Sequence, residues 1–508
     1  MPAATYREIE IKLVGSSRTL DAAFGELGAA SVRSAPVTSI YYDTADKRLW
    51  KRGLTLRLRA KDGRHELTMK RESSALVRGE WSVLIDDPIP DPGALPRGAP
   101  REEFGVILPE ELTEQHRTVA IRSKKVVVID AASFEVSLDR GHILAGQLSM
   151  PLEELEIELL HGPEDAVARV ARDLVMRRSL RVALESKAAR GMALAAGTVP
   201  RARKFNRPVL TAQDTLGSAF QTIIGATALQ VAGNLAAVRH GKGPKGVHQM
   251  RVGLRRLRSA LSLFRKHLDP HATGLQEEAR ATLQALGPAR DLDVFLTQML
   301  PPILSAHADI TPLLHLQAIA ERERAAAYLA LRRMLDGRAF NRLLLDLLGA
   351  QDMRGLLTED AAATPLPKVA TKLLARRHRK LITAGQGFAD MPLEQRHEVR
   401  IAAKKLRYAI DFLGGLYDPE PMRLYRKGMS RLQDDLGHLN DVAVASELVD
   451  RLAGDDERAQ VGAALVKGWY AHRLAAIEPE MVAAWHDFAE TPIFWKPARQ
   501  QKARGKRR

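Results

Sequence analysis

Glu8-Ile9-Glu10-Ile11-Lys12 alternates charged and apolar residues, a pattern that fits a strand with one dry face and one charged face. Glu154-Leu155-Glu156-Ile157-Glu158-Leu159 repeats the device with three carboxylates. Between these two segments the same alternation carries cations, in Leu54-Thr55-Leu56-Arg57-Leu58-Arg59 and in Glu66-Leu67-Thr68-Met69-Lys70. Arg78 precedes Glu80, and Arg122, Lys124 and Lys125 lead into Val126-Val127-Val128-Ile129. An antiparallel sheet with one wet face also alternates in this way. Solvated faces mix charge signs, however, and here some strands present acids and others mostly bases. Two acidic strands repel unless a cation sits between them, and Mg2+ or Mn2+ takes carboxylate oxygens of this kind. Closed on itself with the charges inward, such a sheet is a cationic tunnel around a metal site, suited to a polyphosphate chain.

Charge is distributed unevenly along the 508 residues. Residues 1–198 hold 29 Lys and Arg against 29 Asp and Glu, so the net charge of +16 comes entirely from residues 199–508. A balanced half is thus joined to a strongly basic half, which implies a polyanionic partner. The join falls in the Pro- and Arg-rich stretch 198–211. No cysteine is present, which excludes disulfides and thiolate metal sites and agrees with a reducing cytoplasm. A basic segment followed by an apolar run is missing from the N-terminal region, so no secretory signal is expected. Residues 215–238 are uncharged, but Gln221, Gln230 and Asn234 point to a buried bundle helix rather than a membrane span.

From about residue 212 the pattern turns helical, and it contains a duplication. His248-Gln-Met-Arg251-Val-Gly-Leu-Arg255-Arg256-Leu-Arg258 recurs as His397-Glu-Val-Arg400-Ile-Ala-Ala-Lys404-Lys405-Leu-Arg407 with identical spacing. At about 100° per residue, His248, Arg251, Arg255 and Arg258 share one stripe beside an apolar stripe of Met250, Leu254, Leu257 and Leu261. His397, Arg400, Lys404 and Arg407 do the same. A lone basic stripe is usually a solvated face. Like charges one turn apart repel by several tenths of a kcal/mol per pair, and bearing that cost twice at matched positions favours anion binding. No aromatic stacking platform accompanies these helices, which weighs against nucleic acid.

Residues 1–197 resemble the CYTH superfamily of triphosphate tunnel metalloenzymes. The resemblance rests on Glu8-x-Glu10-x-Lys12, Tyr41-Tyr42-Asp43-Thr44, Arg57-x-Arg59, Leu67-Thr68-Met69-Lys70, Arg78-x-Glu80, the triple-glutamate strand and Ser186-Lys187-Ala188-Ala189-Arg190-Gly191. It implies an α+β chain that opens with an eight-stranded antiparallel tunnel. It also implies hydrolysis of inorganic triphosphate with Mg2+ or Mn2+. By that resemblance Glu8, Glu10, Glu154, Glu156 and Glu158 are metal ligands. Lys12, Arg57, Arg59, Lys70, Arg78, Arg122, Lys124, Lys187 and Arg190 contact phosphate, and Lys187 and Glu158 are assigned catalytic roles. Ser82 departs from members that have a second glutamate there, which leaves the far end of the substrate open.

Residues 212–490, in two repeats of about 212–350 and 360–490, resemble the CHAD domain, a duplicated all-α bundle. The resemblance implies polyphosphate binding by His248, Arg251, Arg255, Arg258, His397, Arg400, Lys404 and Arg407. Residues 491–508 read as a basic tail. The expected protein is a cytoplasmic inorganic triphosphatase with a polyphosphate-binding module and no membrane contact. Two alternatives stand beside it: a non-catalytic polyphosphate-granule protein, and a tunnel enzyme that hydrolyses thiamine triphosphate or cyclises ATP.

Overall fold

The computed structural model describes residues 6–28, 30–61, 63–71, 77–241, 243–269, 273–306, 309–349 and 356–495. The tail beyond Trp495 lies outside them. Among the described residues nine antiparallel strands carry the first part of the chain: β1 (Tyr6–Val14), β2 (Arg33–Thr44), β3 (Leu54–Lys61), β4 (Arg64–Arg71), β5 (Val77–Ile85), β6 (Leu112–Ile129), β7 (Ala132–Ala145), β8 (Leu148–His161) and β9 (Arg181–Ala183). Their order is β5-β4-β3-β2-β6-β7-β8-β1, and β1 also pairs with β5, so eight strands close into a ring. The ring has the eight strands expected, and the sheet carries a ninth. β9 is a three-residue addition that pairs with Lys12–Val14 on β1, too short to leave an alternation in the sequence.

Tight hairpins set the register. β3 returns to β4 through Gly63 at φ 78°, and β7 returns to β8 through Gly146 at φ 57°, both in the left-handed region that glycine enters without strain. Between β6 and β7, Asp130 and Ala131 take φ 47° and 62° instead, two side-chain-bearing residues in a turn that normally asks for glycine.

The outer face of the ring is dry on two sides. Outward, Ile9, Ile11 and Leu13 of β1, Phe134, Val136 and Leu138 of β7 and Leu155 and Ile157 of β8 are buried. Helices Ser17–Glu26 and Ala166–Arg177 pack on these strands. On the other side of the ring, Leu54, Leu56, Leu58, Leu67, Met69 and Trp81 pack with Leu95, Phe104, Ile107 and Leu112. The charged positions of the same strands have only the interior left to them.

The chain divides into two compact units. One contains the ring, with the described residues up to Arg203, and takes in 228–249 and 335–349 from the helical part of the sequence. Helix Arg338–Gly349 packs there on helix Ala166–Arg177 and on β9. The other unit is helical. In it helices Pro419–Ala453 and Glu457–Glu490 run against each other, and helix Leu366–Ala384 packs on Leu393–Leu413. Among the described residues no helix is long and apolar enough to cross a membrane.

Candidate active site

Strand alternation delivers the charges into the ring. Glu8, Glu10 and Lys12 of β1 are each under a tenth exposed, although Ile9, Ile11 and Leu13 on the opposite face are buried too. Charged side chains this deep are tolerated only in pairs. Lys12 pairs with Glu10, and with Glu156 at 3.5 Å. Lys70 of β4 lies between Glu8 at 2.7 Å and Glu80 at 2.8 Å. Arg57 reaches Thr68 Oγ1 at 3.1 Å and Glu66 at 3.5 Å, and Arg59 donates to Ser39 Oγ at 2.8 Å.

A second cluster forms where helix Lys187–Ala195 enters. Ser186 caps it, its Oγ accepting from Ala189 N at 2.9 Å. The helix packs on β6, β7 and β8, with Leu194 against Ala120, Ile143 and Leu152 on the inner face. This aims Lys187 Nζ at three carboxylates: Asp139 at 2.7 Å, Glu154 at 2.7 Å and Glu156 at 2.8 Å. Arg190 pairs with Glu154, and Arg122 bridges Asp139 at 2.6 Å and Glu156 at 2.8 Å. Lys124, two residues on, is half exposed and pairs with Glu135 at 3.1 Å. The Arg78 side chain lies outside the described residues.

The clusters polarise their members in opposite senses. Burial works against the Lys187 ammonium, but Glu154, Glu156 and Asp139 outweigh it and hold the group protonated well above the usual lysine range. Burial likewise disfavours the Glu156 carboxylate, yet Lys187, Lys12 and Arg122 keep it ionised far below the usual range. Glu158 has less such help, with Lys70 the cation that pulls against its rise. It stands opposite Glu10 in the β1–β8 ladder, and it makes no ion pair or hydrogen bond among the described residues. Burial, with Glu8 and Glu10 beside it, pushes its carboxyl up to about 8. Burial and Glu10 raise Glu8 as well, against the pull of Lys70.

Carboxylates of this kind are the donors that a divalent cation takes. Glu8 and Glu10 both raise the Glu158 carboxyl, while Lys70 pairs with Glu8 and Lys12 with Glu10. Asp139, Glu154 and Glu156 have oxygens within 4.8 Å of one another. The cationic side has spare donors: the Nε atoms of Arg57 and Arg190 are buried with no hydrogen-bond partner. Asp139 was not among the candidates drawn from the sequence. Its signal is Phe134-Glu135-Val136-Ser137-Leu138-Asp139, the same alternation with a weaker charge pattern.

His116 was also missed. It is buried, stacks on Tyr41 at 4.4 Å, and has both ring nitrogens unpartnered, so burial lowers its pKa to about 4 and it stays neutral. A Cβ built on Gly191 would fall 1.9 Å from His116 Cδ2. Gly191 is thus what lets the helix bearing Lys187 and Arg190 seat on β6. Gly191→Ala is expected to shift that helix and lower turnover at least tenfold with helix content unchanged, which kcat beside circular dichroism would check.

In the helical unit Arg255 of the first basic stripe acts on Arg400 and Lys404 of the second, while His248 falls in the other unit. Arg251 donates to Leu283 O at 2.9 Å, and burial, with Arg255 and Arg290 adding to it against Asp291, lowers it to about 10. Burial, with Arg255, Arg400 and Arg407 around it, brings Lys404 down to about 7 although Asp441 opposes them. The Nε atoms of Arg255, Arg258 and Arg400 are buried without a hydrogen-bond partner. Arg407 is exposed and donates to Gln433 Oε1 at 2.8 Å. His397 is exposed and His248 half-buried.

Comparison with known families matches residues 6–192 to the CYTH domain and 222–450 to the CHAD domain. The chain carries both domains. The chain is 29% identical over 161 residues to a protein named inorganic triphosphatase from Haemophilus influenzae, covering 30% of this chain and 44% of that one. The chain thus spans less than half the length of that relative. The crystal structure of the CHAD domain from the plant Ricinus communis is 29% identical, with a TM-score of 0.51, covering 58% of this chain and 99% of that one. PptA from Streptomyces chartreusis is 16% identical, with a TM-score of 0.42, over 53% of this chain and 99% of that one.

Proposed function

We propose that the CYTH tunnel hydrolyses inorganic triphosphate with a bound divalent cation, and that the CHAD unit binds polyphosphate. The observation that carries the first half is the arrangement inside the ring. An unpaired Glu158 beside Glu8 and Glu10 calls for a cation, while Arg57 and Arg190 hold buried N–H groups without an acceptor. A phosphate chain with its metal answers both at once.

The residues that would hold the metal are Glu8, Glu10 and Glu158, with Asp139, Glu154 and Glu156 nearby. When bound, Mg2+ or Mn2+ supplies charge neutralisation on phosphate oxygens and an acidified water. Arg57, Arg59, Lys70, Arg122 and Arg190 orient the chain and stabilise equatorial charge on the transferred phosphoryl group. Lys12, whose partners are carboxylates, and Lys124, half exposed, supply further positive charge. Lys187 is held protonated, so it acts as a fixed cation and not as a proton acceptor. Glu158 keeps its proton to about pH 8, so it is the carboxyl that must release a proton when a divalent cation arrives.

For the CHAD unit, the support is the pair of basic stripes with unpartnered guanidinium donors. Among the described residues no acid forms an ion pair with Lys404, and the pull of Asp441 is outweighed by burial and three arginines.

The test is phosphate release from tripolyphosphate, ATP and thiamine triphosphate, measured side by side with Mg2+ and with Mn2+. Tripolyphosphate is expected to turn over fastest, and EDTA to abolish release. Release from an organic triphosphate at the higher rate would reassign the substrate. No release from any of the three would leave a binding protein.

A further inference from the structure

Asn341 sits in helix Arg338–Gly349 among leucines, fully buried, where an apolar residue would satisfy packing equally well. A buried amide is tolerated only if its hydrogen bonds are made, and all of these go to specific backbone atoms. Nδ2 donates to Leu335 O at 3.1 Å, in the last turn of the preceding helix Thr311–Asp336, and to Gly337 O at 2.9 Å, which ties the side chain to the turn that leads into its own helix. Oδ1 accepts from Val182 N at 2.8 Å. Val182 is the middle residue of β9, whose other partner is Leu13 of β1. Two ion pairs bind the same neighbourhood: Arg181 to Asp336 at 3.0 Å, and Arg172 to Asp346 at 3.3 Å. Five residues after Val182 comes Lys187, at the start of the helix that enters the ring.

We propose that Asn341 is a positioning residue for Lys187: by holding Val182 N it fixes the strand from which the Lys187 helix departs. β9 has only three residues, and its ladder to β1 spans Lys12–Val14. Its placement therefore depends on what lies along its far side. Lys187 in turn must place one nitrogen within 2.8 Å of three carboxylates. Misplacement by about 1 Å can cost on the order of a hundredfold in rate. The tunnel's central ammonium is thus set by a residue more than 150 positions downstream, in sequence that belongs to the helical part of the chain. A polar residue is needed because a leucine would fill the space without dictating where along the helix β9 sits. The proposal rests on the reading of Lys187 as part of the chemistry.

The test uses the full chain with Asn341→Leu, Asn341→Asp, Lys187→Met and the double variant N341L/K187M. N341L is expected to lower kcat for tripolyphosphate at least tenfold with KM changed less than threefold. N341D, which keeps an acceptor for Val182 N and as the neutral acid donates to one of the two carbonyls, is expected to recover part of that loss. In the K187M background N341L should have no further effect, because its action runs through Lys187. Amide exchange over 181–190 should quicken in N341L and in the double variant alike. Losses that multiply in the double variant, or unchanged exchange over 181–190, would overturn the proposal. Normal turnover by K187M would strike instead at the reading of Lys187, with the exchange measurement still deciding whether Asn341 braces β9. If N341L does not fold, Asp336→Asn releases Arg181 at a half-exposed site. It is expected to reduce kcat a few-fold with the same non-multiplying behaviour, and multiplying losses there would overturn the proposal too.

Discussion

Glu158→Gln is expected to lower kcat for tripolyphosphate at least a hundredfold while making the metal-free tunnel more stable in alkali. The loss of rate follows from removing a carboxylate that would hold the divalent cation, about 2.7 kcal/mol of transition-state stabilisation for each hundredfold. The gain in stability follows from its titration. In the fold Glu158 keeps its proton to about pH 8, because it is buried beside Glu8 and Glu10, whereas in the unfolded chain it ionises near 4.5. Between those values the native state binds the extra proton, so native stability falls as pH rises from 4.5 through 8. Gln carries no charge and escapes that loss. Variant and parent should therefore melt alike at pH 4, diverge through neutrality, and differ by on the order of 5 °C at pH 9 without metal. Equal melting at pH 9 would mean that Glu158 is not crowded by like charge. Unchanged kcat would remove it from the metal site.

Reversing Arg251, Arg255, Arg400 and Lys404 to Glu in the full chain is expected to weaken binding of long-chain polyphosphate by more than a hundredfold. Each neutralised phosphate releases counterions, so the slope of log affinity against log salt should also shrink, by about 3 for four lost contacts. A finer signature comes from Lys404. Its amine, lowered to about 7 by burial and by Arg255, Arg400 and Arg407, is partly neutral at physiological pH. A polyanion favours the ammonium, so binding takes up a proton and tightens as pH falls from 8 to 6, by at most about tenfold per unit. Lys404→Arg, charged throughout, should flatten that dependence. Equal affinity before and after the reversal would mean that binding is spread over the surface and not seated in the two stripes.

How far the sequence announced these features depended on how much of each partnership was local. The inward set on β1 was legible because Glu8, Glu10 and Lys12 alternate with Ile9 and Ile11 over five residues, and a period of two has one meaning. The paired basic stripes were legible because each lies on one helix and appears twice. Asp139 was harder to read, since Glu135 is the one other charged residue on its face of the strand, where Ser137, Gly141 and Ile143 dilute the pattern. His116 gave no local signal at all. Its role depends on Gly191, which meets it only after the helix has entered the ring. Asn341 is the extreme case: Arg338-Ala339-Phe340-Asn341-Arg342-Leu343 reads as any amphipathic helix, and its partner Val182 belongs to a strand too short to recognise.

Closure of the ring has a consequence for how this protein is made. β1 can meet β5 once residue 80 has been synthesised, giving an open sheet with β1 at one edge and β2 at the other. The strands that fill the gap, β6 to β8, follow over the next 80 residues, and at about 5–20 residues per second an unpaired edge persists for several seconds or more. The last seam to zip is β8 onto β1, where Glu10 comes to face Glu158. Assembly therefore ends on the pairing that like charge resists most, and the ion expected to serve the reaction would also ease the birth of the fold.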